Sequence, residues 1–171
     1  MKHLRQYIKE TLSENYSPRY RYVYHGTTEK AGEEIEESGF DTSLVGIKSG
    51  DKANKGISFS TDQNIAVEHA VWAWANAGKD PEAYLAMVVA RVSGLKIMSG
   101  ADFNRVWDDL GSHPAALDAA KSQGYQAVEY FDLETGEGIE EMELLVFPEF
   151  VDVHRVNYMN TEDFPEIVEN Y

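Results

Sequence analysis

The sequence predicts an α+β domain, and three observations lead there. Short β-prone runs end in glycine or hydroxyl residues that pass straight into helical patterns, and this strand, cap and helix order occurs twice before Gly78. The run Ala83 to Val92 is apolar at both alternating positions, as a strand covered on two faces must be. The remaining strands and helices are short and segregated, which fits α+β better than a regular βαβ series. The chain has 171 residues, 43% of them hydrophobic, so it is one domain in length and apolar enough to fold despite its charge.

Lys2 to Glu14 is expected to form an amphipathic helix, because Leu4, Ile8 and Leu12 recur every four residues with Tyr7 beside them. Asn15 to Pro18 break it, which makes residues 1–18 an appendage of helix and linker and 19–158 the main domain. Arg21 to His25 is β-prone. Gly26-Thr27-Thr28 ends that strand and caps a helix over Glu29 to Ser38, with Gly39 as its stop.

Ser43 to Lys55 reads as a loop, Gly56 to Phe59 as a short strand, and Ser60-Thr61-Asp62 as the cap of a second helix. Ile65, His69, Trp72 and Ala73 are expected to form the inward stripe of that helix, which Gly78 ends. After the apolar strand come two helices, Ala101 to Leu110 and Pro114 to Ser122, closed by Gly111 and Gly124. Gln126 to Phe131, Met142 to Phe147 and Val151 to Tyr158 are strands, and Asp132 to Gly138 is a turn. Residues 159–171 are expected to be a loosely held acidic tail.

Composition narrows the function. With 30 Asp and Glu against 15 Lys and Arg, the formal net charge is −15. Such a surface repels phosphate backbones, so direct nucleic-acid binding is disfavoured, while a basic protein partner or mimicry of DNA suits it. The absence of cysteine excludes thiolate nucleophiles, disulfides and Cys-ligated metals. His3, His25, His69, His113 and His154 show no metal-ligand spacing, so no metal is expected. No apolar run reaches the roughly 20 residues of a membrane span, and a cytoplasmic location is expected.

Three groups of residues stand out at strand ends, where a rigid scaffold presents side chains. Tyr24-His25-Gly26-Thr27 offers an imidazole, a hydroxyl and a backbone open to close approach. Gly56-Ile57-Ser58-Phe59-Ser60-Thr61 offers hydroxyls and an aromatic ring that would line a cleft faced by His69, although helix capping alone also accounts for Ser60 and Thr61. In Glu140-Glu141-Met142-Glu143, strand alternation puts Glu141, Glu143, Leu145 and Phe147 on one face. A carboxylate beside two large apolar residues costs free energy to desolvate unless a partner or ligand compensates it, although a charged edge that blunts aggregation is the plainer reading.

Together these groups resemble the ADP-ribosyltransferase superfamily, with its His-Gly or Arg-Gly strand end, its Ser-Thr strand running into a helix, and its late glutamate. The segment Gly124 to Tyr130 is similar to the family's penultimate strand, and the likeness spans Tyr22 to about Val156. The chain is a hybrid. Ser58 and His69 stand at the spacing of the tyrosine pair that sandwiches nicotinamide in one branch, whereas Phe59-Ser60-Thr61 and Glu141-Met142-Glu143 resemble the Ser-Thr-Ser and Glu-x-Glu elements of the arginine-modifying branch.

The resemblance implies a split antiparallel sheet flanked by helices, NAD as co-substrate and a protein, in the leading reading a host protein, as acceptor. It implies that Glu143 holds the nicotinamide-side ribose and offsets the positive charge developing there, and that Ser60 orients Glu143. Glu141 would act on the incoming nucleophile. It further implies an NAD site of His25, Gly26, Thr27, Ser58, Phe59, Thr61 and His69, with Thr28, Lys52 or Lys55 as further pyrophosphate donors. Residues Met1 to Glu10 with Leu12-Ser13-Glu14 resemble the capsid-targeting segments of tailed-phage internal head proteins, which would make this an enzyme packaged in a virion. Two alternatives stay open: a non-catalytic acidic inhibitor or DNA mimic, and an inactive transferase-like binding module.

Overall fold

The computed structural model describes residues 20–44, 56–131 and 142–169. The expected N-terminal helix, the segment 45–55 with Lys52 and Lys55, the turn at 132–138 and Glu141 lie outside the described residues.

Strand β1, Tyr22–Thr28, runs three residues past its expected end because Gly26, Thr27 and Thr28 stay paired with Met87, Ala86 and Leu85. Helix α1, Glu29–Ser38, starts where Thr28 Oγ1 accepts the Ala31 amide at 3.4 Å. It stops at Gly39, whose φ of 77° is one that side chains resist and whose amide donates to Ile35 O. A single 3-10 turn at Thr42–Leu44 follows. Strand β2, Ile57–Ser60, leads to α2, Gln63–Asn76, where Asp62 is the cap residue and its Oδ1 accepts the Asn64 amide at 2.8 Å.

Strand β3 is Leu85–Arg91 and a two-residue β4 is Ile97–Met98, the latter without a clear signal in the sequence. Helices α3, Gly100–Leu110, and α4, His113–Ser122, match the two expected helices to within a residue. Strands β5, Ala127–Phe131, β6, Met142–Val146, and β7, Asp152–Met159, follow, and a short α5 spans Pro165–Val168.

Among the described residues the seven strands form one sheet in the order β4-β5-β6-β2-β1-β3-β7, antiparallel except for β4 with β5. With helices on both faces, the class is α+β. Residues Leu85 to Ala90 of β3 are all at most 2% exposed, because α1 covers one face and α2 the other. On the α1 side, Ile35 packs on Ala86, Val88 and Val156, and a second cluster joins Val23, Ile57, Phe59, Leu144 and Val146. On the opposite side, α2 covers Leu85 and Met87, while α3 and α4 bring Phe103, Ala116, Leu117 and Ala120 onto Val128, Leu145 and Phe147.

The inward face of α2 differs from the expected stripe. Ala66, Val67, Ala70, Val71 and Trp74 are buried, whereas His69 is exposed and Trp72 is 54% exposed. Gly26 is the reason: a Cβ there would overlap the Ala66 carbonyl and crowd the Ala70 amide, so the alanine face of α2 rests directly on the β1 backbone. Larger side chains turned inward at this crossing would hold the helix away from the sheet. The segment expected to be a loose tail is also held in its described part, since Phe164, Ile167 and Val168 pack against the α2 cluster.

Candidate active site

The three sequence groups, far apart in the chain, fall on three neighbouring strands. Strands β6, β2 and β1 lie side by side, and the link between β2 and β1 is the single pair Tyr24 with Ser60. Helix α2 covers the sheet on one side of this strip and α3 with α4 on the other, while Ser58 and Glu143 between them are only partly buried.

Alternation along β2 and β6 decides which side chains meet. Ser60 is directly opposite Glu143 and Ser58 opposite Leu145, so all four share a face, with Ile57, Phe59, Leu144 and Val146 on the other. Glu143 is diagonal to Ser58, and Ser58 Oγ donates to Glu143 Oε2 at 2.6 Å. That length belongs to a charge-assisted O–H to carboxylate bond. Ser58 also faces β1: its carbonyl accepts from His25 Nδ1 at 2.9 Å, which fixes the hydrogen on Nδ1 because a carbonyl only accepts. One serine therefore holds the imidazole with its main chain and the carboxylate with its side chain.

The expected roles shift accordingly. Ser60 does not orient Glu143; its hydroxyl is closed into a local turn, donating to Asp62 O at 2.8 Å and accepting the Asp62 amide at 3.0 Å. Phe59 does not line a cleft, because it points to the α1 side and is 1% exposed against the rings of His25 and Phe40. His25 leaves β1 on that same side, opposite Val88, so it and Glu143 approach Ser58 from opposite faces of the sheet. Thr27 shares His25's face and is half-buried. Gly26 offers only its backbone, since the room left by its missing side chain is taken by α2. Thr61 is half-buried just before the Asp62 cap, and His69 is exposed on α2.

Two residues to which the sequence assigns no site role stand out here, Tyr130 on the face of Glu143 and Glu129, opposite Leu144, on the other. Tyr130 of β5 is directly opposite Glu143 on the flank away from Ser58. Its ring packs against His113, with centroids 5.3 Å apart, and lies within 28° of parallel to Trp107 at 6.2 Å. Glu129, only 4% exposed, accepts the Gly100 amide at 3.1 Å and so ties the first turn of α3 to β5. The positive end of the helix dipole suits a carboxylate there. Tyr130 sits within the Gly124 to Tyr130 segment singled out above, but its pairing with Glu143 depends on register, which single-strand patterns do not fix. Among the described residues, no group of three or more His, Asp or Glu is arranged to hold a metal, and no helix is long and apolar enough to cross a membrane.

What the arrangement can do follows from Glu143. A half-buried carboxylate fixed by a short hydrogen bond between β2 and β5 is preorganised to stabilise positive charge, and in a partly dehydrated site such an interaction is worth far more than in water. No protein-family model matches the chain, and no curated protein matches it.

Proposed function

We propose that the protein is a mono-ADP-ribosyltransferase that moves ADP-ribose from NAD to a protein side chain and releases nicotinamide. The observation that carries this reading is the Ser58 to Glu143 hydrogen bond, made by a residue that also binds His25. In the same reading, the lone Tyr24–Ser60 pair is the joint of a split transferase-type sheet.

The reaction breaks the bond between ribose C1′ and the nicotinamide nitrogen, whose electron pair leaves with nicotinamide; the acceptor's lone pair forms the new bond to C1′ and its proton passes to solvent. Positive charge grows on the sugar along the way, as in glycoside cleavage. Glu143 supplies the opposing charge and Ser58, rather than Ser60, keeps it aimed. His25, on the opposite face, holds Ser58 in place from behind through its carbonyl, and the Gly26 backbone serves the carboxamide. Glu141 works on the acceptor. The acidic surface suits a basic acceptor protein, and the N-terminal segment Met1 to Glu14 is proposed as a virion-packaging signal.

Incubation with adenine-labelled NAD and a bacterial lysate tests the proposal. Label should appear in protein with the wild type and be lost with Glu143→Ala. Absence of both label and nicotinamide release, with NAD-independent capture of a partner, would leave a transferase-like binding module instead.

A further inference from the structure

We propose that Tyr130 is the residue that makes this site a transferase rather than a hydrolase, by closing one flank of Glu143 to water. The inference rests on the reading of Glu143 as the carboxylate at which NAD is cleaved. Water and a protein side chain compete for the same C1′ atom in the same way: each forms a bond to C1′ through a lone pair and gives up one proton, with no change of oxidation state. The product therefore depends on which nucleophile is held in place beside the carboxylate.

The two flanks of Glu143 are chemically unlike. On the β2 side stands the Ser58 hydroxyl. On the β5 side stands Tyr130, and directly opposed residues of an antiparallel pair carry Cβ atoms about 4.5–5.5 Å apart. The Tyr130 ring is not at liberty to swing aside. Trp107 lies within 28° of parallel to it at 6.2 Å, His113 meets it at 71° and 5.3 Å, and Trp107 and His113 are themselves in contact at 4.9 Å. Phe103, fully buried, backs His113 at 5.5 Å.

An attacking water needs room as well as two or more polar partners to be held in position, and the Tyr130 ring, packed against Trp107 and His113, takes up that room on the β5 flank. The block of rings thus removes one place where water would be ordered against Glu143. Because Glu129 anchors the first turn of α3 through the Gly100 amide, the helix that carries Trp107 is fixed to the strand that carries Tyr130.

The test compares nicotinamide released with ADP-ribose attached, using the full chain, adenine-labelled NAD and a bacterial lysate, in the wild type, Tyr130→Phe, Tyr130→Leu and Trp107→Leu, each checked for folding by circular dichroism. Wild type and Tyr130→Phe should attach nearly every ADP-ribose they free. Tyr130→Leu, which opens room for a water bonded to Glu143, should raise the ratio of release to attachment roughly tenfold, the worth of that one hydrogen bond, while total release stays within about twofold. Trp107→Leu should shift the ratio the same way. Structural damage would lower release and attachment together, so an unchanged ratio in both leucine variants overturns the inference while leaving Glu143's role intact. A wild type that frees nicotinamide without attaching ADP-ribose also overturns it, and one that frees none overturns the underlying reading as well.

Discussion

Ser58 donates its hydroxyl hydrogen to Glu143 at 2.6 Å across 85 positions of sequence, and its own carbonyl accepts from His25. The two serines of β2 therefore do different work, although both lie on the face that carries Glu143.

Substitution should separate them. A hydrogen bond to a charged group is worth about 1.5–3 kcal/mol, so Ser58→Ala should lower nicotinamide release about ten- to a hundredfold with little change in stability. Ser60→Ala removes a local turn ahead of α2 and should cost about 1 kcal/mol in urea unfolding while leaving turnover near wild type. Equal effects of the two substitutions on turnover would contradict the assignment.

Gly26→Ala should be severe for a reason unrelated to ligand. The new Cβ would overlap the Ala66 carbonyl and the Ala70 amide, both backbone groups of α2 that cannot rotate away. Overpacking of this kind costs about 3 kcal/mol or more, which urea denaturation would read as a lowered midpoint at unchanged slope. A variant as stable as the wild type would mean that α2 does not rest on β1.

Burial, and then the hydrogen bond to Glu36 and the charges of Glu36, Glu33 and Glu29, push the Tyr158 phenol up to about 12. A phenol with a raised pKa contributes stability that is whole below about pH 10 and is lost as pH rises toward 12. Phenolate absorbance should show a late-titrating component that is lost in Tyr158→Phe. Its appearance near 10 would contradict the contact.

Glu149 is held below the usual carboxylate range chiefly by its hydrogen bond to Lys121, with which it pairs at 2.5 Å. Lowered carboxylates stabilise the fold above their ordinary value, and that contribution fades as pH falls through the folded one. Both partners are nearly half exposed, so the pair is worth under about 1 kcal/mol. A carboxyl NMR titration should find the Glu149 pKa raised in Lys121→Met, and no change would refute the pairing.

Local signals were legible because they are short-range. Gly39 and Gly111 mark helix ends by their left-handed φ, and the doubly apolar β3 shows that both its faces are covered. The facing of Glu143, Leu145 and Phe147 also follows from alternation alone. What the sequence concealed depends on register and close approach. Ser58 and Ser60 are equivalent by alternation, and only the pairing of β2 with β6 makes Ser58 the diagonal partner of Glu143. The rotation of α2 was hidden because its alanines look like weak hydrophobes until Gly26 is seen beneath them, so the heavier His69 and Trp72 drew the inward stripe to the wrong side. Tyr130 needed the β5 to β6 register, and the two-residue β4 lay below the length at which a pattern can be read.

The most direct measurement is the rate of nicotinamide release from NAD by the purified chain and by Glu143→Gln, which keeps the size of the side chain and removes its charge. If Glu143 opposes charge on the departing ribose, the glutamine variant should fold normally and lose about a hundredfold or more of the wild-type rate. A wild type that releases nicotinamide no faster than Glu143→Gln would contradict the account.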